Sequence, residues 1–442
     1  TVNLAPADIR KDGTAFDLPI ALGVLTATGQ LDPSAVHNRL FVGELGLDGS
    51  VRGIRGALSV ARLAGASGVR TLVLPPSNVD EAGRLSFLSI SAPADLRTLV
   101  TELGGGELTT ASPSTSVKVV SADQPDFAEV VGQGTAKRAL EIAAAGGHNV
   151  LMVGPPGAGK TMLARRLPGI LPELSEAESL EVIAIHSVAG ILTSESMASC
   201  TRPFRAPHHS ISSAGLIGGG SSPRPGEVSL AHNGVLFLDE MLEFPRSVLD
   251  GLRQPMEDAR VVISRASMSV RFPARFTLIG ATNPCPCGRL GDPTGTCTCP
   301  PREIDRYARR ISGPLADRID MHVTVGPVAL TDLSAAPSGE STLVLRERVC
   351  RARQIQSRRF RDSHRITFNG HASGRWLDAS GEIGSDARAL LQTAANALSF
   401  SARGYHRVLK VARTIADIDG SRVVRELHIA EALRYRPAAP AW

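Results

Sequence analysis

Apolar positions change period several times along the first hundred residues. Asp17–Thr28 reads as a helix, Arg39–Leu45 as a strand, Ala57–Ala64 as a helix and Thr71–Leu74 as a short buried strand. Small and turn-forming residues follow at Gly104–Gly106 and Thr109–Ser116, the composition of a linker. From about Phe127 the apolar runs strengthen. Val150–Val153, Val235–Leu238 and Phe276–Ala281 each read as a strand buried on both faces, as in a parallel sheet. Val328–Ser341, with Pro337 and Gly339, reads as a second linker. Beyond it the period is helical: Ala387, Leu390, Leu391, Ala394 and Leu398 share one face, and Val408, Val411, Ile415 and Ile418 another. The expected organisation is an α/β first block over 1–108, a linker over 109–126, an α/β core over 127–326 and a helical domain over 342–442.

Composition narrows the class. The chain has 442 residues, 43% hydrophobic and 21% charged, which excludes a disordered or collagen-like protein. No apolar run reaches the roughly 18 residues of a membrane helix. No signal peptide opens the chain, and it starts at Thr1, so a cytoplasmic protein trimmed from a longer product is expected. The net charge is +5, which permits a nucleic-acid partner without demanding one. Only five of the 48 basic residues are lysines, so a lysine inside a motif carries weight.

One such lysine stands in Gly154-Pro155-Pro156-Gly157-Ala158-Gly159-Lys160-Thr161, after an apolar strand and before a helix opening near Met162. Strand, glycine loop and helix together form the context of a phosphate-binding loop. Its backbone N–H groups turn inward on phosphates, and the helix N-terminus adds partial positive charge. Lys160 would neutralise β- and γ-phosphates, and Thr161 would ligate Mg²⁺. Residues 154–162 and Asp239 make the expected nucleotide set. Asp239 ends a second apolar strand and would hold Mg²⁺; Glu240 beside it would polarise the attacking water. Asn283 ends a third strand, where a polar tip can orient that water.

Lys160 and Asp239 are 79 residues apart, more than one helix and one strand need. The excess includes Thr201–Ser210 and the glycine-rich Gly215–Gly220, which read together as an insertion. Its His208-His209 pair reads as buried, hydrogen-bonded imidazoles rather than metal ligands. Ala259–Phe272 alternates as a β-hairpin. Cys285, Cys287, Cys297 and Cys299 form two C-x-C pairs, suited to tetrahedral Zn²⁺, with reduced structural thiols and disulfides as the other readings. Residues 341–375 hold nine arginines against Glu347 and Asp362, a local +7 that fits a DNA-facing element.

The glycine loop, Asn-Pro-Cys-Pro-Cys-Gly, Arg310–Leu315, Asp317–Asp320 and Lys410–Asp417 together resemble the YifB/ComM family of magnesium-chelatase-like AAA+ ATPases. The resemblance covers essentially the whole chain. It implies an αβα AAA+ sandwich with a helical lid, preceded by a partial Lon-protease-like α+β domain whose matching strings are Thr1–Asp8 and Lys11–Asp17. It implies Arg318 as an arginine finger reaching a neighbouring subunit, with Arg309 and Arg310 as runners-up. It implies Arg403 as a sensor touching the γ-phosphate from the lid, with Arg407 and Lys410 as rivals. A homo-hexamer follows, since an arginine supplied across an interface needs a ring. The insertion and the hairpin would then face the pore, making Arg205, Arg265 and Arg271 candidate DNA contacts. The implied activity is an ATP-driven helicase on single-stranded or branched DNA that promotes branch migration during natural transformation. A chelatase-type or chaperone-type motor on a protein partner is the alternative. Proteolysis is not expected: Ala15 stands nearest the nucleophile's place, and no lysine lies between Lys11 and Lys118.

Overall fold

Two apolar runs, Val150–Val153 and Gly234–Leu238, set the middle of the molecule because their side chains alternate between two cores. Val150, Met152, Val235 and Phe237 enter one; Leu151, Leu236 and Leu238 enter the other. A strand buried on both faces needs helices above and below, which is the parallel-sheet solution. The computed structural model describes residues 2–4, 13–114, 125–198, 200–220, 222–265, 268–291, 295–328, 339–363 and 366–436.

In chain order the strands of the first block are β1 (Arg39–Phe41), β2 (Glu44–Leu45), β3 (Val51–Arg52), β4 (Thr71–Val73) and β5 (Ser89–Ser91). Strands β1, β4 and β5 form a parallel sheet in that order. On β4, Leu72 faces the helix Ala57–Ala66 while Val73 joins the Leu18 and Leu22 side of the helix Asp17–Ala27. The expected strand Arg39–Leu45 is broken at Val42 and Gly43 into β1 and β2, which belong to different sheets. The matching strings at Thr1 and at 5–12 lie outside the described residues.

The core begins after the expected first linker. Strands β6 (Val150–Val153), β7 (Phe204–Arg205), β8 (Gly218–Gly219), β9 (Arg224–Pro225), β10 (Gly234–Leu238), β11 (Arg260–Arg265), β12 (Met268–Pro273), β13 (Phe276–Thr282) and β14 (Met321–Thr324) follow. The central sheet runs β14-β6-β13-β10-β7, every pairing parallel. Helices Gly134–Gly146 and Lys160–Ile170 cover one face. Fully burying one Phe such as Phe237, 1% exposed, contributes roughly 1.5–3 kcal/mol.

One expectation is corrected here. Phe204–Arg205 is a strand of the sheet itself, paired with Val235 and Leu236, and not part of an insertion. The extra material follows it: the helix Ser213–Ile217, the ribbon β8–β9 and the helix Glu227–Leu230. Two buried partners hide β7 from a sequence reading, since so short a strand has no period to detect.

The C-terminal helices Thr342–Arg359, Gly374–Ser380, Ser385–Ala397, Ala402–Ile418 and Glu426–Leu433 share their core with the first face of the sheet. Asp417 ties them together. It accepts from Arg359 at 2.6 Å by both oxygens, from Asn369 Nδ2 at 2.7 Å and from Arg413 at 2.9 Å. The first block docks on the helix Glu176–Ala189, which lends Ile183 to its core and Ser187 Oγ to the Gly56 amide at 2.8 Å. Among the described residues no helix is long and apolar enough to cross a membrane.

Candidate nucleotide site

The loop that leaves β6 turns through Gly159, at φ +87°, directly into the helix Lys160–Ile170. A side chain there would be strained, so the glycine is required by the turn. Lys160 is buried and folds back on its own loop. Its ammonium donates to Gly154 O at 2.6 Å, Pro155 O at 2.9 Å and Asn283 Oδ1 at 3.3 Å. Burial holds its pKa below the ordinary lysine value, while Asp239 and Glu240 pull the other way. Thr161 Oγ1 donates to Asp239 Oδ2 at 2.7 Å. A hydroxyl and a carboxylate so placed offer the hard oxygen donors that Mg²⁺ takes. The structure therefore gathers Lys160, Thr161, Asp239 and Asn283, expected from three separate stretches of sequence, at one edge of the sheet. Met162 lies exposed on the first helical turn.

Glu240 follows Asp239 at φ +49°, a left-handed conformation for a residue with a side chain. Its carboxylate is more than half exposed and stands 3.4 Å from His209 Nδ1. The imidazole pair is thus not the buried one expected. His208 is exposed and bonded to Ser210 Oγ at 2.8 Å, and His209 stacks on it with ring centroids 4.0 Å apart. The chain after β7 brings both beside the end of β10, a neighbourhood that only strand order creates. Gln133 was also missed. At φ +54° it donates to Gly326 O at 2.7 Å and Ala158 O at 3.3 Å, joining the glycine loop to the end of β14. Its signal was Gly132-Gln133-Gly134 immediately before a helix.

Arg318 and Arg403 lie elsewhere. Met321 pairs with Val150, so the residues before β14 sit at the start of β6, whereas the glycine loop leaves its end. Asn149 Nδ2 donates to Arg318 O at 2.9 Å, fixing this turn beside the amino edge. The length of β6 separates the two places by about 10 Å, at about 3.3 Å per residue. Arg318 is 16% exposed, paired with Glu257, and donates to Pro314 O. Arg403, 68% exposed, and Arg407 both meet Asp317, at 3.4 and 3.3 Å. An Arg403 reaching its own γ-phosphate from the lid is not what this geometry offers; both arginines stand at the edge opposite their own glycine loop. Lys410 is engaged with Gly370 O at 2.8 Å, and Arg310 with Leu242 O and Glu243 at 2.8 Å each. Arg309 is exposed.

The arginines expected on DNA divide. Arg205 donates to both oxygens of Glu227, at 2.6 and 2.8 Å. Arg271 is exposed on β12, opposite Val262 of the β11–β12 hairpin; the side chain of Arg265 lies outside the described residues. Arg224, which was not singled out, is exposed on the β8–β9 ribbon. Of the nine arginines over 341–375, Arg346, Arg348 and Arg359 bind carboxylates and Arg353 stacks on Phe368, so much of the local +7 is consumed internally. The four clustered cysteines have their sulfurs within 4.8 Å of one another.

Comparison with known proteins agrees with this architecture. Residues 126–333 match the family described as magnesium chelatase, subunit ChlI; residues 339–436 match its C-terminal family, and residues 1–78 match the family described as subunit ChlI of Mg-chelatase. Competence protein ComM of Haemophilus influenzae is 43% identical over 99% of this chain and 85% of its own length. The uncharacterized protein YifB of Escherichia coli is 41% identical over 99% of this chain and 84% of its length. The magnesium-chelatase 38 kDa subunit of Rhodobacter capsulatus is 29% identical over 36% of this chain and 50% of its length. With a parallel P-loop sheet, a helical C-terminal region and 43% and 41% identity to ComM and YifB over 99% of its length, the chain belongs to the magnesium-chelatase-like AAA+ family of those proteins.

Proposed function

We propose that the protein hydrolyses ATP as a homo-hexameric ring and uses the energy to move along DNA. The observation that carries the ATPase reading is the Thr161–Asp239 contact at 2.7 Å beside a buried Lys160. The β- and γ-phosphates would lie among the backbone N–H groups of residues 157–161, the two prolines of the loop having none to give, and Lys160 would exchange its carbonyl partners for phosphate oxygens. Thr161 and Asp239 would hold Mg²⁺, whose charge would neutralise the phosphates. Glu240 accepts the proton of the attacking water and Asn283 orients that water. The new P–O bond forms as the bond to the β,γ-bridging oxygen breaks, and ADP leaves with that electron pair. Arg318, joined by Arg403, stabilises the transferring group of the neighbouring subunit.

DNA as the track is supported by the competence protein among the relatives and by Arg224 and Arg271 on two adjoining β-hairpins. The family resemblance extends this to branch migration during natural transformation. A second reading, a chelatase-type motor on a protein partner, is favoured by the partial match to the magnesium-chelatase subunit and by the pairing of Arg205 with Glu227.

ATP turnover with and without single-stranded and four-way-junction DNA, with Lys160→Ala as the blank, separates them. Stimulation by DNA that vanishes in the variant is the expected result. Turnover indifferent to every DNA would transfer the substrate role to a protein. Glu240→Gln should bind nucleotide yet lose about 10²–10⁴-fold in turnover.

A further inference from the structure

The loop after β13 brings four sulfurs together with no bond between them. Cys285, Cys287, Cys297 and Cys299 are all free thiols. Cys285 Sγ lies 3.4 Å from Cys287 Sγ and 3.7 Å from Cys297 Sγ, and Cys287 Sγ lies 3.6 Å from Cys297 Sγ. A triangle of three mutually close sulfurs cannot be satisfied by disulfides, which join sulfurs in pairs. It does match the face of a tetrahedron around one ion. With Zn–S near 2.3 Å the edge of that tetrahedron is about 3.8 Å. An iron–sulfur cluster would stand between the thiolates and hold them much farther apart.

The cluster is tied to the nucleotide loop from two directions. Cys285 is fully buried two residues after Asn283, whose side chain accepts from Lys160. Gly288 turns at φ +77° so tightly against the glycine loop that a Cβ there would stand 2.6 Å from Pro156 Cδ. The four-cysteine loop therefore presses on the outside of the phosphate-binding loop.

We propose that Cys285, Cys287, Cys297 and Cys299 bind one Zn²⁺, and that this ion braces Asn283 and Pro156 in their positions around the nucleotide. The zinc site stands on the sulfur geometry alone; the brace rests on the nucleotide reading above. Closing the loop through one ion would remove much of the freedom of the chain between its first and last cysteine.

Metal content of the purified chain, cobalt substitution and nucleotide affinity test the two parts. The expected result is one zinc per chain, kept by Cys350→Ser and lost by Cys299→Ser. Refolding with Co²⁺ should give thiolate-to-metal charge transfer and intense tetrahedral visible bands. A chain without zinc, a chain brown with iron, or cobalt spectra of six-coordinate type would overturn the metal assignment. Stripping the wild-type chain with a chelator avoids any folding defect of the variants. It should weaken binding of a fluorescent ATP analogue on the order of tenfold, reversed by Zn²⁺. Unchanged affinity after complete stripping would overturn the brace and leave the metal site. If Lys160→Ala binds the analogue as the wild type does, the nucleotide reading fails while the metal results stand.

Discussion

At the carboxyl edge of the central sheet the polar groups satisfy one another. Lys160 donates to Asn283 and Thr161 to Asp239, two pairs side by side within the chain. At the amino edge they do not. Arg318 Nε, Arg407 Nε, Arg436 Nε and His322 Nδ1 are buried without a hydrogen-bond partner among the described residues, and four arginines share two carboxylates: Arg318 pairs with Glu257, while Arg403, Arg407 and Arg436 face Asp317. Leaving a buried donor unpaired costs about 1–3 kcal/mol. The carboxyl edge thus pairs its polar groups with one another, whereas the amino edge holds more arginine than carboxylate, and the proposed role of Arg318 toward a neighbouring subunit draws on that excess.

The sharpest way to break that comparison is to mix defective subunits. Arg318→Ala should cut turnover by about 10³-fold or more, the worth of an arginine supplied in trans. Nucleotide binding by the isolated subunit should persist. Lys160→Ala and Arg318→Ala chains, each inactive, should recover measurable ATPase when mixed, because some interfaces then carry both an intact loop and an intact arginine. Absence of recovery at any ratio would place Arg318 outside the reaction.

A smaller effect tests what holds the amino edge in place. Asp417, fully buried, bonds Arg359, Asn369 and Arg413 behind it. Asp417→Ala strands a buried guanidinium at Arg413 and should cost about 3–5 kcal/mol. Denaturant unfolding reads the loss. Hydrogen exchange should place it in the helices Thr342–Arg359 and Ala402–Ile418 and spare β10. Uniform loosening of both edges would show that they are not independent.

The smallest expected effect is a pH dependence confined to the amino edge. Burial, with Arg407 and Arg436 nearby, pushes the His322 imidazole down to about 4, and Asp320 opposes this weakly. Above the ordinary histidine value of about 6.5 the group is neutral folded or unfolded and stability is flat. As pH falls below that value the unfolded chain takes up a proton that the folded chain refuses until about 4. Stability should therefore decline between those limits; His371, which burial also pushes down to about 4, adds a decline of the same sign, so His322→Gln should make this part of the profile shallower without abolishing it, measured by thermal unfolding across pH. A His322→Gln profile as steep as the wild type would assign the decline to other groups.

Much of the fold was legible because its signals are local. The Val150–Val153 strand, the glycine loop and Asp239 announce themselves within a few residues each, since phosphate binding needs backbone amides from one continuous turn. The β11–β12 hairpin was readable from alternation alone. Phe204–Arg205 was not, because two residues give no period and their strand identity comes from Val235 and Leu236 thirty residues on. The histidines following them were misread as buried for the same reason: their exposure and their approach to Glu240 depend on where β7 runs.

The sequence by itself determined the chemistry available at the nucleotide loop and the alternating strands that carry it, because those features are encoded in neighbours along the chain. Which side of the molecule each arginine occupies was decided only by tertiary structure. The pairing of Met321 with Val150 puts Arg318 at the edge opposite its own loop, and the docking of the helix Ala402–Ile418 puts Arg403 beside it. Strand register and helix docking are summed over many buried contacts far apart in sequence, so no short motif records them.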